Sequence, residues 1–165
     1  MKFKLGSKTI TNSSQPYFIA EIGVNYENDI NRAKKIINLA KKGGADAVKF
    51  QSYKAETIAC KASPYYWDLK EVPIKSKFEL FKKFDKFGFK EFKILKNYCD
   101  KIKIDFLSTP FDLDAVDYLD HLVPFFKVAS ADINNFTLIK KICTKNKPIV
   151  ISTGASTYKE IKKTV

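Results

Sequence analysis

Short apolar, β-branched runs alternate along this chain with segments of helical period, and that alternation limits the fold more than any other feature. The runs are "YFIAEIG" (Tyr17–Gly23), "DAVKFQ" (Asp46–Gln51), "DFLST" (Asp105–Thr109), "FFKVA" (Phe125–Ala129) and "PIVIS" (Pro148–Ser152). Between the first two, Ile30, Ala33, Ile37 and Ala40 fall on one helical face, and Gly43-Gly44 supplies a C-terminal stop. Amphipathic periods also predict helices over Ser76–Phe87, Lys90–Lys101, Leu113–His121 and Phe136–Lys145, with Ser156 as the N-cap of a last one. Strand and helix taken in turn give an α/β fold with a parallel sheet and helices outside it.

The second run poses the functional question. Ala47, Val48 and Phe50 suit a packed strand, yet Lys49 and Gln51 lie two residues apart and so share a face. Similar residues recur at every strand end: Glu21 and Asn25 after the first, "STPFD" (Ser108 to Asp112) after the third, Lys127, Ser130 and Asp132 after the fourth, and "STGAS" (Ser152 to Ser156) after the fifth. Ligands of parallel α/β folds bind at the carboxyl ends of the strands. Lys49 and Lys127, with hydroxyls from Ser108, Thr109, Ser130 and Ser152, suit a phosphate or carboxylate anion. The helix start after Gly154 adds backbone N–H groups. Glu21 and Asp132 are placed to position hydroxyls, move a proton or touch a metal. Taken singly each has a plainer reading: a strand lysine snorkels, Glu21 pairs with it, and "STG" or "STP" caps a turn.

Other features bound the function. The net charge is +12, but Arg32 is the only arginine and the lysines are spread along the helices. This describes a solvated basic surface that helps draw in a small anion, not a nucleic-acid reader, which leans on arginine's fork. No apolar run reaches the roughly 20 residues of a membrane helix, and "MKFKLGSKTITNSS" lacks a signal-peptide core. The expectation is a soluble cytoplasmic protein with no nucleic-acid or membrane partner. Cys60, Cys99 and Cys143 show no CxxC pairing and read as reduced. His121 reads as structural. Ser52–Lys75 is too long and aromatic for a plain connector; its Tyr65, Tyr66 and Trp67 are either a lid over the site or a plug at its mouth.

The motifs "IAEIGVN", "GADAVKFQ", "DFLSTPFD", "FKVASADINN" and "PIVISTGAS", in this order, resemble the sialic acid synthase (N-acetylneuraminate synthase) family from about Tyr17 to Val165. The "SPYYWD" segment is similar to a branch that includes legionaminic acid synthases. The resemblance implies a (β/α)8 TIM-barrel type catalytic domain, of which residues 1–165 would be the N-terminal portion, truncated to about five βα units and lacking the C-terminal antifreeze-like domain. It implies condensation of phosphoenolpyruvate with N-acetylmannosamine, or a related N-acetylated hexosamine, to a nine-carbon 2-keto sugar acid with release of phosphate. It further implies a divalent metal, Mn or Mg, with ligands mostly outside this chain and none among the residues named here, and a homodimer for the complete enzyme. Carried over by motif, Glu21, Lys49, Lys127 and Asp132 are catalytic, and Asn25, Gln51, Thr109, Ser130 and Ser152 bind substrate. Lys49, Lys127, Ser130 and Ser152 match phosphoenolpyruvate positions, and Gln51 matches an amino-sugar contact. Asp132 stands where many members have Glu, and Tyr26 where many have His. The alternative is a non-catalytic five-stranded domain that binds a small anion, or an inactive fragment.

Overall fold

The computed structural model describes residues 2–165. It begins with a hairpin of β1 (Lys2–Leu5) and β2 (Lys8–Thr11), which the strand reading above does not contain. Five further strands follow: β3 (Ile19–Gly23), β4 (Ala47–Ser52), β5 (Asp105–Pro110), β6 (Phe126–Val128) and β7 (Ile149–Ile151). The expected helices appear as α1 (Ile30–Lys42), α3 (Lys77–Phe84), α4 (Phe89–Ile102), α5 (Leu113–Asp120), α6 (Phe136–Cys143) and α7 (Tyr158–Thr164). A single turn, α2 (Ala55–Ile58), is added in the long connection.

β3, β4 and β5 pair in parallel in that order, β6 pairs in parallel with β7, and β6 runs beside β5. Each strand therefore lies next to its successor. A doubly wound sheet would instead reverse its order at a switch point.

Side-chain parity along β4 settles which face does what. Val48 and Phe50 turn toward the helices, where Phe50 lies 6.1 Å from the Phe92 ring of α4 and stacks on Phe106 at 5.6 Å. Ala33 and Ile37 of α1 and Leu95 of α4 fill the same layer and are fully buried. With that layer closed by aromatic rings, the alternate residues Lys49 and Gln51 must occupy the opposite face.

The helix ends carry the local signals that place them. Asp29 caps α1 through Asn31 and Arg32 N–H, Gly43 receives its end, and Gly44 takes φ +85°. Ser76 caps α3 by accepting from Glu79 N–H. The last helix is capped one residue later than predicted. Thr157 N–H and Oγ1 both donate to Glu160, whose carboxyl those bonds and the Asn134 amide hold down to about 2, while Ser156 turns its hydroxyl back to the Gly154 carbonyl.

The hairpin closes the amino-terminal end of the strands. Ser7 N–H donates to Asp105 Oδ2 at 2.6 Å, and the Tyr17 hydroxyl reaches the same oxygen at 2.5 Å. Lys8 pairs with Asp46 Oδ1 at 2.6 Å. Burial opposes the charge on Asp46, but the Lys8 pair and the Phe18 N–H outweigh it and keep the carboxyl below its usual range.

Candidate active site at the carboxyl ends of the strands

Parallel pairing puts residues in register on the same face, so Glu21 beside Lys49, and Gln51 beside Thr109, share one surface of the sheet. The Lys49 ammonium forms an ion pair with Glu21 Oε2 and donates to Thr109 Oγ1 at 3.2 Å. Lys49 is 9% exposed and Thr109 is 2% exposed, so Lys49 is turned inward and is not a snorkelling surface lysine, while its partner Glu21 remains exposed. Gly23 takes φ +59°, a backbone conformation that favours glycine, and lies beside both the Glu21 carboxylate and the Gln51 amide.

Lys127 joins the group from β6. Its ammonium donates to the Val128 carbonyl at 2.7 Å. Burial lowers its pKa below the usual ammonium value, the Lys49 charge lowers it further, and Glu21 partly offsets both. Two cations and one carboxylate therefore face one another, and their sum is positive. Ser152 follows β7 on the face of Val150, which pairs with Lys127. Ser130 lies against the next loop, 3.5 Å from where a Cβ on Gly154 would be. Among the described residues, the side chains of Gln51, Ser130 and Ser152 have no hydrogen-bond partner.

Asp132 stands further out, in the 3-10 turn Ser130–Asp132 that follows β6. Burial raises its pKa above the usual carboxylate range, and the Asn135 amide, donating at 3.3 Å, only partly offsets this. Such a carboxyl exchanges a proton closer to neutrality than a solvated one. Asn25 sits exposed on the loop after β3 and is not drawn into the lysine cluster.

One expectation is corrected. Ser108 does not face the anion site: it is in register with Phe50, on the helix side, where its hydroxyl bonds Ser52 Oγ at 2.7 Å. Tyr26 is a core residue, 1% exposed, packed on Phe50 and Phe87. Trp67 spends its indole N–H on its own loop, donating to the Val72 and Ile74 carbonyls at 3.0 Å each, while Tyr66 is 78% exposed. His121 caps the end of α5 and lies near Asp100 and Asp105, at the opposite end of the strands from the lysine pair. Among the described residues no group of three or more His, Cys, Asp or Glu side chains is placed to hold a metal, so these residues alone do not fit a Mn or Mg ion. No helix among them is long and apolar enough to cross a membrane.

The Lys127 environment gives a pH prediction. A bound anion stabilises the charged amine and raises its pKa toward the usual value, so binding takes up a proton once the pH exceeds the lowered pKa of the free site. The dissociation constant for inorganic phosphate at this site should therefore begin to rise at a lower pH than for an ordinary lysine, above the pH at which phosphate is doubly ionised. Calorimetric titration checks this, and a bend that persists in Lys127→Met would assign it elsewhere.

The structure thus places two lysines, a carboxylate and several hydroxyls at the carboxyl ends of a parallel α/β sheet. The comparison with known proteins then gives the family. Residues 36–165 match the NeuB family model, and the chain belongs to the NeuB family. It is 43% identical over 147 residues to the N,N'-diacetyllegionaminic acid synthase of Campylobacter jejuni, a match covering 87% of this chain and 44% of that relative. It is 37% identical over 155 residues to the N-acetylneuraminate-9-phosphate synthase of Mus musculus, covering 88% of this chain and 41% of that relative. Among solved structures, the sialic acid synthetase of Leptospira borgpetersenii in complex with citrate superposes with a TM-score of 0.83 at 32% identity, covering 99% of this chain and 53% of that one. A truncated 3-deoxy-D-arabino-heptulosonate 7-phosphate synthase from Thermotoga maritima shares the fold, with a TM-score of 0.65 at 15% identity. The chain spans less than half the length of these curated relatives.

Proposed function

We propose that these residues form the first five βα units of a (β/α)8 barrel that joins phosphoenolpyruvate to N-acetylmannosamine or a related N-acetylated hexosamine. The observation that carries the reading is the convergence of Lys49 and Lys127 on one face, with Glu21 paired to Lys49 and acting through its charge on Lys127. A substrate with both a carboxylate and a phosphate balances that surplus of positive charge.

In this reading Lys49 and Lys127 hold the phosphate and carboxylate, with Ser130 and Ser152 donating to their oxygens. Thr109 fixes Lys49. Gln51, beside Glu21, contacts the sugar, and Asn25 borders the pocket. The methylene carbon of phosphoenolpyruvate attacks the open-chain aldehyde, forming the carbon–carbon bond while the aldehyde oxygen takes a proton. Asp132, with its raised pKa, is the donor on that side. Water adds at the resulting cationic C2 and gives up a proton, for which Glu21 is the nearest carboxylate on the lysine face. The tetrahedral intermediate then expels phosphate by C–O cleavage as its C2 hydroxyl gives up its proton to the departing phosphate, leaving the 2-keto acid. Fixed cations stabilise the charge that shifts onto the phosphate.

The test is phosphate release by the full-length protein, assayed with divalent metal supplied. Release should require phosphoenolpyruvate and an N-acetylated hexosamine together. Release without a sugar, or none with any N-acetylated hexosamine, would refute the assignment.

A further inference from the structure

The helical turn after β4 has no cap of its own. α2 starts at Lys54, whose side chain makes no capping bond, so its first N–H groups need acceptors from elsewhere. Two remote carboxylates supply them. Asp85 Oδ2 accepts from Ala55 N–H at 3.0 Å, and Asp112 Oδ2 accepts from Lys54 N–H at 3.2 Å. The Thr57 hydroxyl lies 2.8 Å from the same Asp112 oxygen and 2.7 Å from the Lys54 carbonyl. The other oxygen, Asp112 Oδ1, caps α5 by accepting from Ala115 N–H at 2.7 Å. One carboxylate thus ties the turn after β4 to the helix after β5.

This tie carries the β4–β5 ladder past its end. Gln51 is in register with Thr109, and Ser52 with Pro110. Phe111 N–H then donates to the Ser52 carbonyl at 3.0 Å, and the Lys54 bond to Asp112 follows just beyond it. Between these two bonds Tyr53 is buried, with its ring edge-on to Phe111 at 6.2 Å. The two side chains that β4 sends to the site depend on the tie unequally. Lys49 is held by Glu21 and Thr109. Gln51 lies nearer the loop, and among the described residues its amide has no hydrogen-bond partner. Where that amide points is therefore set by its backbone, which the tie fixes on the loop side.

We infer that Asp112 is a positioning residue for Gln51, acting through Lys54 N–H and the Thr57 hydroxyl to hold the exit of β4 against β5. Its carboxylate does not need to touch substrate to do so. A charged acceptor makes the stronger hydrogen bond, and its two oxygens serve the cap and the tie at once.

The inference rests on the synthase reading, in which Gln51 meets the sugar, and one set of variants separates the two. Phosphate release by the full-length protein, with divalent metal supplied, is measured against N-acetylmannosamine and phosphoenolpyruvate in turn. Serine caps helices about as well as aspartate, so Asp112→Ser keeps an oxygen for α5 and leaves none for Lys54 and Thr57. The KM for the sugar should rise about tenfold, within what a displacement of about 1 Å can do, with the KM for phosphoenolpyruvate unchanged. Thr57→Val, at an exposed position, should act in the same direction by less, and serves alone if Asp112→Ser does not fold. The double variant should be no worse than Asp112→Ser, because both changes break one contact. The split between the two KM values is the readout, since a general loosening of the fold would not raise one and spare the other. An unchanged sugar KM in both single variants overturns the inference alone. So do two KM values that rise together, or effects that simply add in the double variant. No release by the unaltered protein with any N-acetylated hexosamine overturns the synthase reading and the inference with it.

Discussion

Lys127→Ala in the full-length protein should lower phosphate release by at least about a hundredfold, and by up to about a thousandfold, as loss of one preorganised donor to developing charge typically does. The melting temperature should stay the same or rise. These two expectations share a physical cause. In the unliganded fold Lys127 is penalised twice, by partial burial and by the Lys49 charge, and both lower its pKa. A lysine whose folded pKa lies below its unfolded value destabilises the fold at neutral pH. The penalty is full below the folded pKa and disappears as pH rises past the unfolded one. Removing the amine therefore relieves the free protein and weakens only the state in which an anion balances the charge. Lys49→Ala should behave differently, because it strands Glu21 and the Thr109 hydroxyl. Steady-state kinetics with calorimetry on Lys127→Ala and Lys127→Met check the assignment. Unchanged turnover would remove Lys127 from the mechanism, and a collapsed melt in both variants would make it a structural residue.

Period-two alternation made the sheet and much of the site readable before any coordinates. Val48 and Phe50 are apolar because one face of β4 meets α1 and α4, so Lys49 and Gln51 had to share the other. The same rule exposes the error at "STP". Ser108 and Thr109 are adjacent in one strand and cannot both face the anion; register with Phe50 sends Ser108 to the helix side. Parity applied to that motif would have separated the two hydroxyls. Other features leave no trace in a linear reading. The closeness of Lys49 and Lys127 depends on β6 lying beside β5, and Asp112 reaches Lys54 and Thr57 from a segment remote in sequence. The fold of the aromatic loop is another such feature. Trp67 looks functional by residue type, but its N–H is used to close its own turn. The amino-terminal hairpin had been legible all along in "KFKLGSKTIT", where Gly-Ser sits between two alternating runs, a pattern suited to a two-residue turn with glycine first.

That turn carries the second large effect, one of stability and not of chemistry. Gly6→Val should destabilise the protein by about 3 kcal/mol or more, combining roughly 1–3 kcal/mol of backbone strain with a similar overpacking cost. Gly6 adopts φ +56°, which a β-branched residue resists, and a Cβ there would be driven into the Asp105 carboxylate and to 2.6 Å from the Tyr17 hydroxyl. Asp105 cannot yield easily, because it accepts from Ser7 N–H and Tyr17 together and joins the hairpin to the starts of β3 and β5. The expected fall in melting temperature is roughly 6–12 °C for a chain of this size. Ser7→Ala is the control: the contact uses the backbone N–H of Ser7, so it should shift stability by no more than about 0.5 kcal/mol. The hairpin caps the end of the strands remote from Lys49 and Lys127, so Gly6→Val protein that remains folded should keep its KM for phosphoenolpyruvate. A melt indistinguishable from the unaltered protein would show that the turn is not seated on Asp105. A raised KM without loss of stability would show that the two ends of the strands are coupled, so that closing one end helps to position the lysines at the other.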